Sequence, residues 1–188
     1  MKKAILLFLL LSCLSACQTL VQSTSMPPTT AASSLGMKLS SPGFENGKKI
    51  PDQYACQNDQ TGKSPELAIE NVPAGAQSLA LIVEDPDAPL GVFYHWIIYN
   101  IPPALSDIPE GMPVISHVAG IGTQGKNSFG TLGYGGPCPP FGQTHRYYFH
   151  LYALDLGLST PEGLDEVQLK TKIQGHILAQ ADWMGTYK

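Results

Sequence analysis

Two runs of strand-forming residues enclose a stretch that cannot carry regular structure, and this constrains the fold more than anything else in the chain. Residues 92–101 (VFYHWIIYNI) and 145–154 (HRYYFHLYAL) are dominated by β-branched and aromatic side chains. Such side chains are stiff at χ1 and suit a pleated surface better than a helix. Between them, residues 120–142 hold eight glycines and three prolines, too many breakers for a regular element. The reading is a pair of long strands joined by an extended loop, and loops of that length in a compact domain are commonly functional.

Alternation along the first run places Phe93, His95, Ile97 and Tyr99 on one face, with Tyr94, Trp96, Ile98 and Asn100 on the other. Along the second, His145, Tyr147, Phe149 and Leu151 oppose Arg146, Tyr148, His150 and Tyr152, so His145 and Tyr147 point the same way. Residues 78–83 (SLALIV) are apolar at both parities and stop at Glu84-Asp85-Pro86-Asp87-Ala88-Pro89. That is the pattern of a buried central strand ending in a rigid loop. One helix is expected after Ser159-Thr160-Pro161, with Thr160 as cap, Pro161 in the first turn, and Leu169, Ile173 and Ile177 along one stripe. The chain reads as a mainly β domain of short strands with one late helix.

The N-terminus follows different rules. Lys2 and Lys3 precede an apolar run from Ala4 to Leu11, and Leu14-Ser15-Ala16-Cys17 comes next. A charged start, a short apolar run and small residues outline a signal peptide; the run is too short to cross roughly 30 Å of hydrocarbon as a helix. Leu14-Ser15-Ala16-Cys17 resembles the lipobox of bacterial lipoproteins. The resemblance implies that residues 1–16 are removed and that Cys17 is lipidated and acylated. The protein would then sit in the cell envelope, on the outer membrane facing the periplasm if the source is Gram-negative, as Gln18 suggests. The alternative is an ordinary secretory signal cut near Ala16, with Cys17 a free thiol. Residues 17–35 are uncharged and rich in Ser, Thr and Pro; they read as a flexible tether reaching about 25 Å, which leaves residues 36–188 as the folded domain.

Without residues 1–16 the chain has nine basic residues against 15 acidic, a net charge of −6, and its single arginine is Arg146. This argues against nucleic acid as a partner and against electrostatic attraction to lipid. With Cys13 removed and Cys17 lipidated, Cys56 and Cys138 remain, either bridged in an oxidising compartment or buried as free thiols. Gly120-x-x-x-x-Gly125-Lys126 nearly spells a P-loop, but Asn127 stands where Ser or Thr is required, and the glycines that follow forbid the helix. No Gly-x-Ser-x-Gly, His-Glu-x-x-His or paired Cys-x-x-Cys occurs, so neither a hydrolase elbow nor a zinc site is expected, and no cofactor.

Asp85-Pro86-Asp87-Ala88-Pro89, His95-Trp96, Gly135-Gly136-Pro137-Cys138-Pro139-Pro140 and His145-Arg146-Tyr147 together resemble the phosphatidylethanolamine-binding protein family, in its bacterial Raf-kinase-inhibitor-like branch. The match extends over nearly all of residues 36–188. The resemblance implies a Greek-key β-sandwich with a small anion pocket lined by Asp85, His95, the Gly136-Pro137 turn, His145 and Tyr147. Asp87 and Arg146 would support it, and a cis bond at Asp85-Pro86 would aim the acid inward. Imidazoles, a phenol and glycine amides can all donate to phosphate or carboxylate oxygens. The expected function is therefore non-enzymatic binding of a phosphoryl or carboxyl group, such as a phospholipid headgroup or a phosphorylated partner. The alternatives are a regulator of a kinase or protease acting by protein contact, and a weak hydrolase using His95, His145 and Asp85. His117, His150 and His176 read as structural histidines, and Trp96, Tyr148 and Tyr152 as packing.

Overall fold

A strand that is apolar on both faces needs cover on both, and that requirement organises this domain. The computed structural model describes residues 36–56, 62–158 and 162–188. The signal segment 1–16, Cys17, the tether 17–35, Thr160 and Pro161 lie outside the described residues. In chain order the elements are β1 (Lys38–Ser40), β2 (Leu67–Glu70), β3 (Ser78–Asp85), β4 (Phe93–Ile101), β5 (Asp107–Ile108), β6 (His117–Val118), β7 (Gly122–Gln124), β8 (His145–Leu154), α1 (Glu166–Ile173) and β9 (Ile177–Tyr187). Two antiparallel sheets, ordered β1-β2-β5 and β6-β7-β4-β3-β8-β9, make a Greek-key β-sandwich.

β3 lies between β4 and β8. On one side Leu79, Leu81 and Val83 pack with Trp96, Ile98, Phe149 and Leu151 against Leu39, Leu67, Ile69 and Ile108 of the small sheet. On the other, Ala80 and Ile82 pack with Ile97, Tyr99 and Leu154 beneath Leu164, Leu169 and Ile173 at the helix. Each fully buried Leu or Ile contributes roughly 1.5–3 kcal/mol, so the dual burial of this one strand joins both layers.

Three expectations about the elements need correction. The long strands β3, β4, β8 and β9 have 8, 9, 10 and 11 residues and are not short. The cap of α1 is Asp165: its carboxylate accepts the Gln168 N–H at 2.9 Å, while the Gln168 side chain accepts the Asp165 N–H at 3.1 Å. This reciprocal box satisfies two otherwise orphaned donors. Ile177 leaves the helical stripe and opens β9, because Gly175 at φ 82° turns the chain out of the helix. The domain therefore closes on a strand that pairs along the whole of β8, and the helix precedes it.

The glycine-rich stretch is irregular except for β7 at its start. From β7, beside β4, the chain crosses the end of the large sheet to reach β8, beyond β3. On the way it hydrogen-bonds to the edge of β4: Gly125 N–H to Ile97 O at 2.8 Å, Ser128 N–H to Tyr94 O at 2.9 Å, and Gly135 N–H to His95 O at 2.8 Å. Gly125 permits the approach, since a Cβ there would lie 2.6 Å from the Ile97 side chain.

Candidate functional site

β3 ends at Asp85, β4 begins at Phe93 and β8 begins at His145. Antiparallel pairing brings these three termini to the same end of the sheet. There the crossing loop and the loop after β3 enclose a cavity of about 390 Å³. Its polar lining is Asp85, His95 and His145; Leu90, Val92, Phe93, Phe129 and Pro140 are among the apolar walls.

Strict alternation assigned His95 to the face of Ile97 and Tyr99, and this is corrected by the register of β4. Val83 pairs with Trp96, but the next residue, Glu84, pairs with Tyr94. His95 is thus the extra residue of a β-bulge, which bends the strand and re-aims one side chain. The bulge turns His95 to the side of Trp96 and Ile98, where its ring meets Tyr147 edge-on at 5.1 Å between centroids. Two reciprocal bonds hold it: His95 Nδ1–H donates to Gly135 O at 2.8 Å, and Gly135 N–H donates to His95 O at 2.8 Å.

Asp85 and His145 are a buried pair. His145 Nδ1 lies 2.7 Å from Asp85 Oδ2, with side chains 3% and 5% exposed, and the Gln143 amide oxygen lies 3.4 Å from the opposite ring nitrogen. The Asp85-Pro86 bond is trans, contrary to expectation, as no cis peptide occurs among the described residues. The inward aim of Asp85 comes instead from strand alternation and from a turn in which the Asp87 N–H donates to Asp85 Oδ1 at 2.8 Å.

The other expected site residues lie behind or beside the cavity. Asp87 takes three bonds from Arg146: the backbone N–H at 2.9 Å, Nε at 2.8 Å and a terminal nitrogen at 2.6 Å. These bonds hold its carboxyl down at about 2, and the clamp fixes the loop that follows Asp85. Tyr147 is buried behind His95. Among the described residues its hydroxyl has no partner at hydrogen-bonding geometry, and burial, reinforced by Asp85, pushes its ionisation far up. Gly136 and Pro137 form a clasp: Cys56 N–H donates to Pro137 O at 2.9 Å, and Cys56 is bridged to Cys138 with Cα atoms 5.4 Å apart. A Cβ on Gly136 would lie 2.5 Å from the Cys56 nitrogen. That glycine serves backbone contact with the 54–56 segment.

Burial holds His95 below the usual imidazole range, against the upward pull of the Gly135 carbonyl and Asp85. Among the described residues no lysine or arginine lines the cavity. Sequence reasoning missed Phe129, which packs edge-on to Phe93 at 4.7 Å and to His95 at 5.6 Å. The available signal was a large aromatic in a glycine-rich run: Gly135 leaves room for its ring, where a Cβ would come within 2.5 Å. Of the remaining histidines, His150 and His176 bond to Asp182 and Asp155, and His117 is exposed. Trp96 is buried and donates to Gln124 at 2.9 Å. Among the described residues no group of three or more His, Cys, Asp or Glu is placed to hold a metal ion.

A Greek-key sandwich with a small cavity at the end of its central strands, walled by aromatic rings and two histidines, defines a binding domain. The family model for phosphatidylethanolamine-binding protein matches residues 40–188, and the chain belongs to that family. It is 45% identical over 157 residues to a UPF0098 protein of Chlamydia muridarum, covering 81% of this chain and 99% of that one. The crystal structure of a phosphatidylethanolamine-binding protein homolog from Chlamydia trachomatis superposes with a TM-score of 0.73 at 45% identity, covering 81% of this chain and 97% of that one. Escherichia coli YbcL, described as a new member of the mammalian PEBP family, gives a TM-score of 0.71 at 26% identity, covering 81% of this chain and 98% of that one.

Proposed function

We propose that the protein is a non-enzymatic binding protein of the cell envelope, anchored through lipidated Cys17, whose cavity takes a small ligand bearing a phosphoryl or carboxyl group. The observation that carries this reading is the juxtaposition of His95 and His145 in one otherwise mainly apolar cavity. Two imidazoles can address an oxyanion while the apolar walls accept the group it is attached to. Binding is favoured over turnover because the one cysteine at the cavity, Cys138, is held in a disulfide and is unavailable as a nucleophile.

The test is an NMR titration with phosphate, phosphoethanolamine and acetate at pH 5.5 and 7.5, following the His95 and His145 ring signals. Both should move, and more tightly at the lower pH; no movement with any of the three sinks the assignment. Anchoring is tested by Cys17→Ser, which should shift the protein from the membrane to the soluble fraction. Leu90 and Phe141 are fully exposed near the cavity and support a second reading, regulation of a partner protein by loop contact. In that case loop substitutions at Leu90 and Phe141 would abolish regulation while His145→Ala would spare it.

A further inference from the structure

The polar groups facing the cavity are short of hydrogens to give. A carbonyl oxygen only accepts, so the contact with Gly135 O places the proton of neutral His95 on Nδ1. Its lone pair is then on Nε2, and the residue, which lines the cavity, is only 3% exposed. Asp85 offers oxygens that already accept from His145 and from the Asp87 N–H. The titratable groups facing His95 are Asp85 from β3 and His145 and Tyr147 from β8. The crossing loop contributes Phe129 and the bridged Cys138, and the one arginine is committed to Asp87.

A fully ionised oxyanion placed here meets a lone pair and a carboxylate. An oxyacid that keeps one acidic hydrogen can donate it to His95 Nε2. We propose that the cavity accepts its ligand together with one proton, and so selects a phosphomonoester in its singly charged form over a phosphodiester of the same size. No covalent bond changes; the proton stays between a ligand oxygen and Nε2. A diester has no such hydrogen and requires a proton on His95 itself, which burial opposes. The inference rests on the cavity being an oxyanion site, and it names the ligand class that site prefers.

Ethyl phosphate and dimethyl phosphate are isomers of one size, and of their singly charged forms only the first keeps an acidic hydrogen, lost in a second ionisation near pH 6. Calorimetric titration of the full chain with each, at pH 5.5 and 7.5 and in two buffers of different ionisation enthalpy, reads affinity and proton uptake together. At pH 5.5 ethyl phosphate should bind at least tenfold more tightly, with little uptake. At pH 7.5 its binding should take up close to one proton, and affinity should fall about tenfold per pH unit above the ligand's own ionisation. Equal affinity for the two isomers, or ethyl phosphate binding at pH 7.5 without uptake, overturns the inference and leaves the oxyanion site standing. Failure of both to bind overturns the site as well. Imidazole nitrogen shifts of the free protein should show His95 Nε2 unprotonated at pH 7.5; a proton there also overturns it.

Discussion

His95 and His150 lie on opposite faces of the same six-stranded sheet and answer to opposite forces. His95 is packed among Phe93, Phe129 and Tyr147, and burial outweighs its neighbours, lowering its ionisation. His150 is half-buried, with Nδ1 2.6 Å from Asp182 and Nε2 3.5 Å from Glu84. Burial pulls it down too, but hydrogen bonds to the two carboxylates prevail and raise it. A carboxylate bonded directly to the ring decides the sign, and a carboxylate one residue further off does not. One face packs its histidine among aromatic rings with Nδ1 on the Gly135 carbonyl; the other sets both ring nitrogens against carboxylates.

The largest break in that comparison is to remove the covalent support behind His95. The Cys56–Cys138 bridge spans 82 residues, and losing it should cost about 4 kcal/mol in the chain-entropy model. In Cys56→Ser/Cys138→Ser, denaturant unfolding reads the loss; the His95 titration should drift toward its ordinary value near 6.5 while that of His150 stays. Equal drift of both would show that the bridge does not act locally.

Glu84 and Asp85 are adjacent on β3 and serve the two faces, which sharpens the contrast. Asp85→Asn breaks a buried pair and should cost about 3 kcal/mol. Glu84→Gln weakens a half-exposed cluster of His150 and Lys170 and should cost about 1 kcal/mol. Similar losses from the two would remove the distinction between the faces.

A smaller effect separates the histidines by pH. The folded state raises His150, so its contribution is full below about pH 6.5 and fades as pH rises through the folded value. His95 is lowered, so its contribution is full above about pH 6.5 and declines as pH falls toward the folded value. His150→Gln should therefore lose about 1 kcal/mol at pH 6 and approach wild type at higher pH. A constant difference across pH would refute the linkage.

The smallest change is Arg146→Lys, where a point charge replaces a bidentate fork. Its readout is the Asp87 carboxyl, which should rise from about 2, with the His95 and His150 titrations unmoved. Movement of His95 in this variant would mean that the clamp reaches the cavity more directly than its position beside it implies.

The sandwich was legible where burial is strict. β3 reads as a covered central strand because both of its parities are apolar, and β8 alternates without a fault from His145 to Ala153 because one face is core throughout. β9 was not legible: Ile177–Tyr187 mixes Ala, Gln and Gly with few strand formers, and it is a strand because β8 supplies its hydrogen bonds. At the site, Asp85 and His145 were implied by the family resemblance, and it is strand pairing that brings them together. Tyr147 was assigned to the right face but lies behind His95, because ring depth depends on what packs in front.

Local composition alone determined that β3, β4 and β8 are strands, where the glycine-rich crossing lies, and that the buried strand stops ahead of Pro86, because these depend on neighbours within a few residues. Tertiary structure decided the side to which His95 turns, the trans aim of Asp85, the Asp165 cap and the wall that Phe129 builds. The bulge at His95 is a mismatch in count between β4 and β3, and a mismatch exists only once the two strands are paired. That pairing, together with the Gly135 carbonyl delivered from a loop forty residues away, sets which nitrogen of neutral His95 carries the proton.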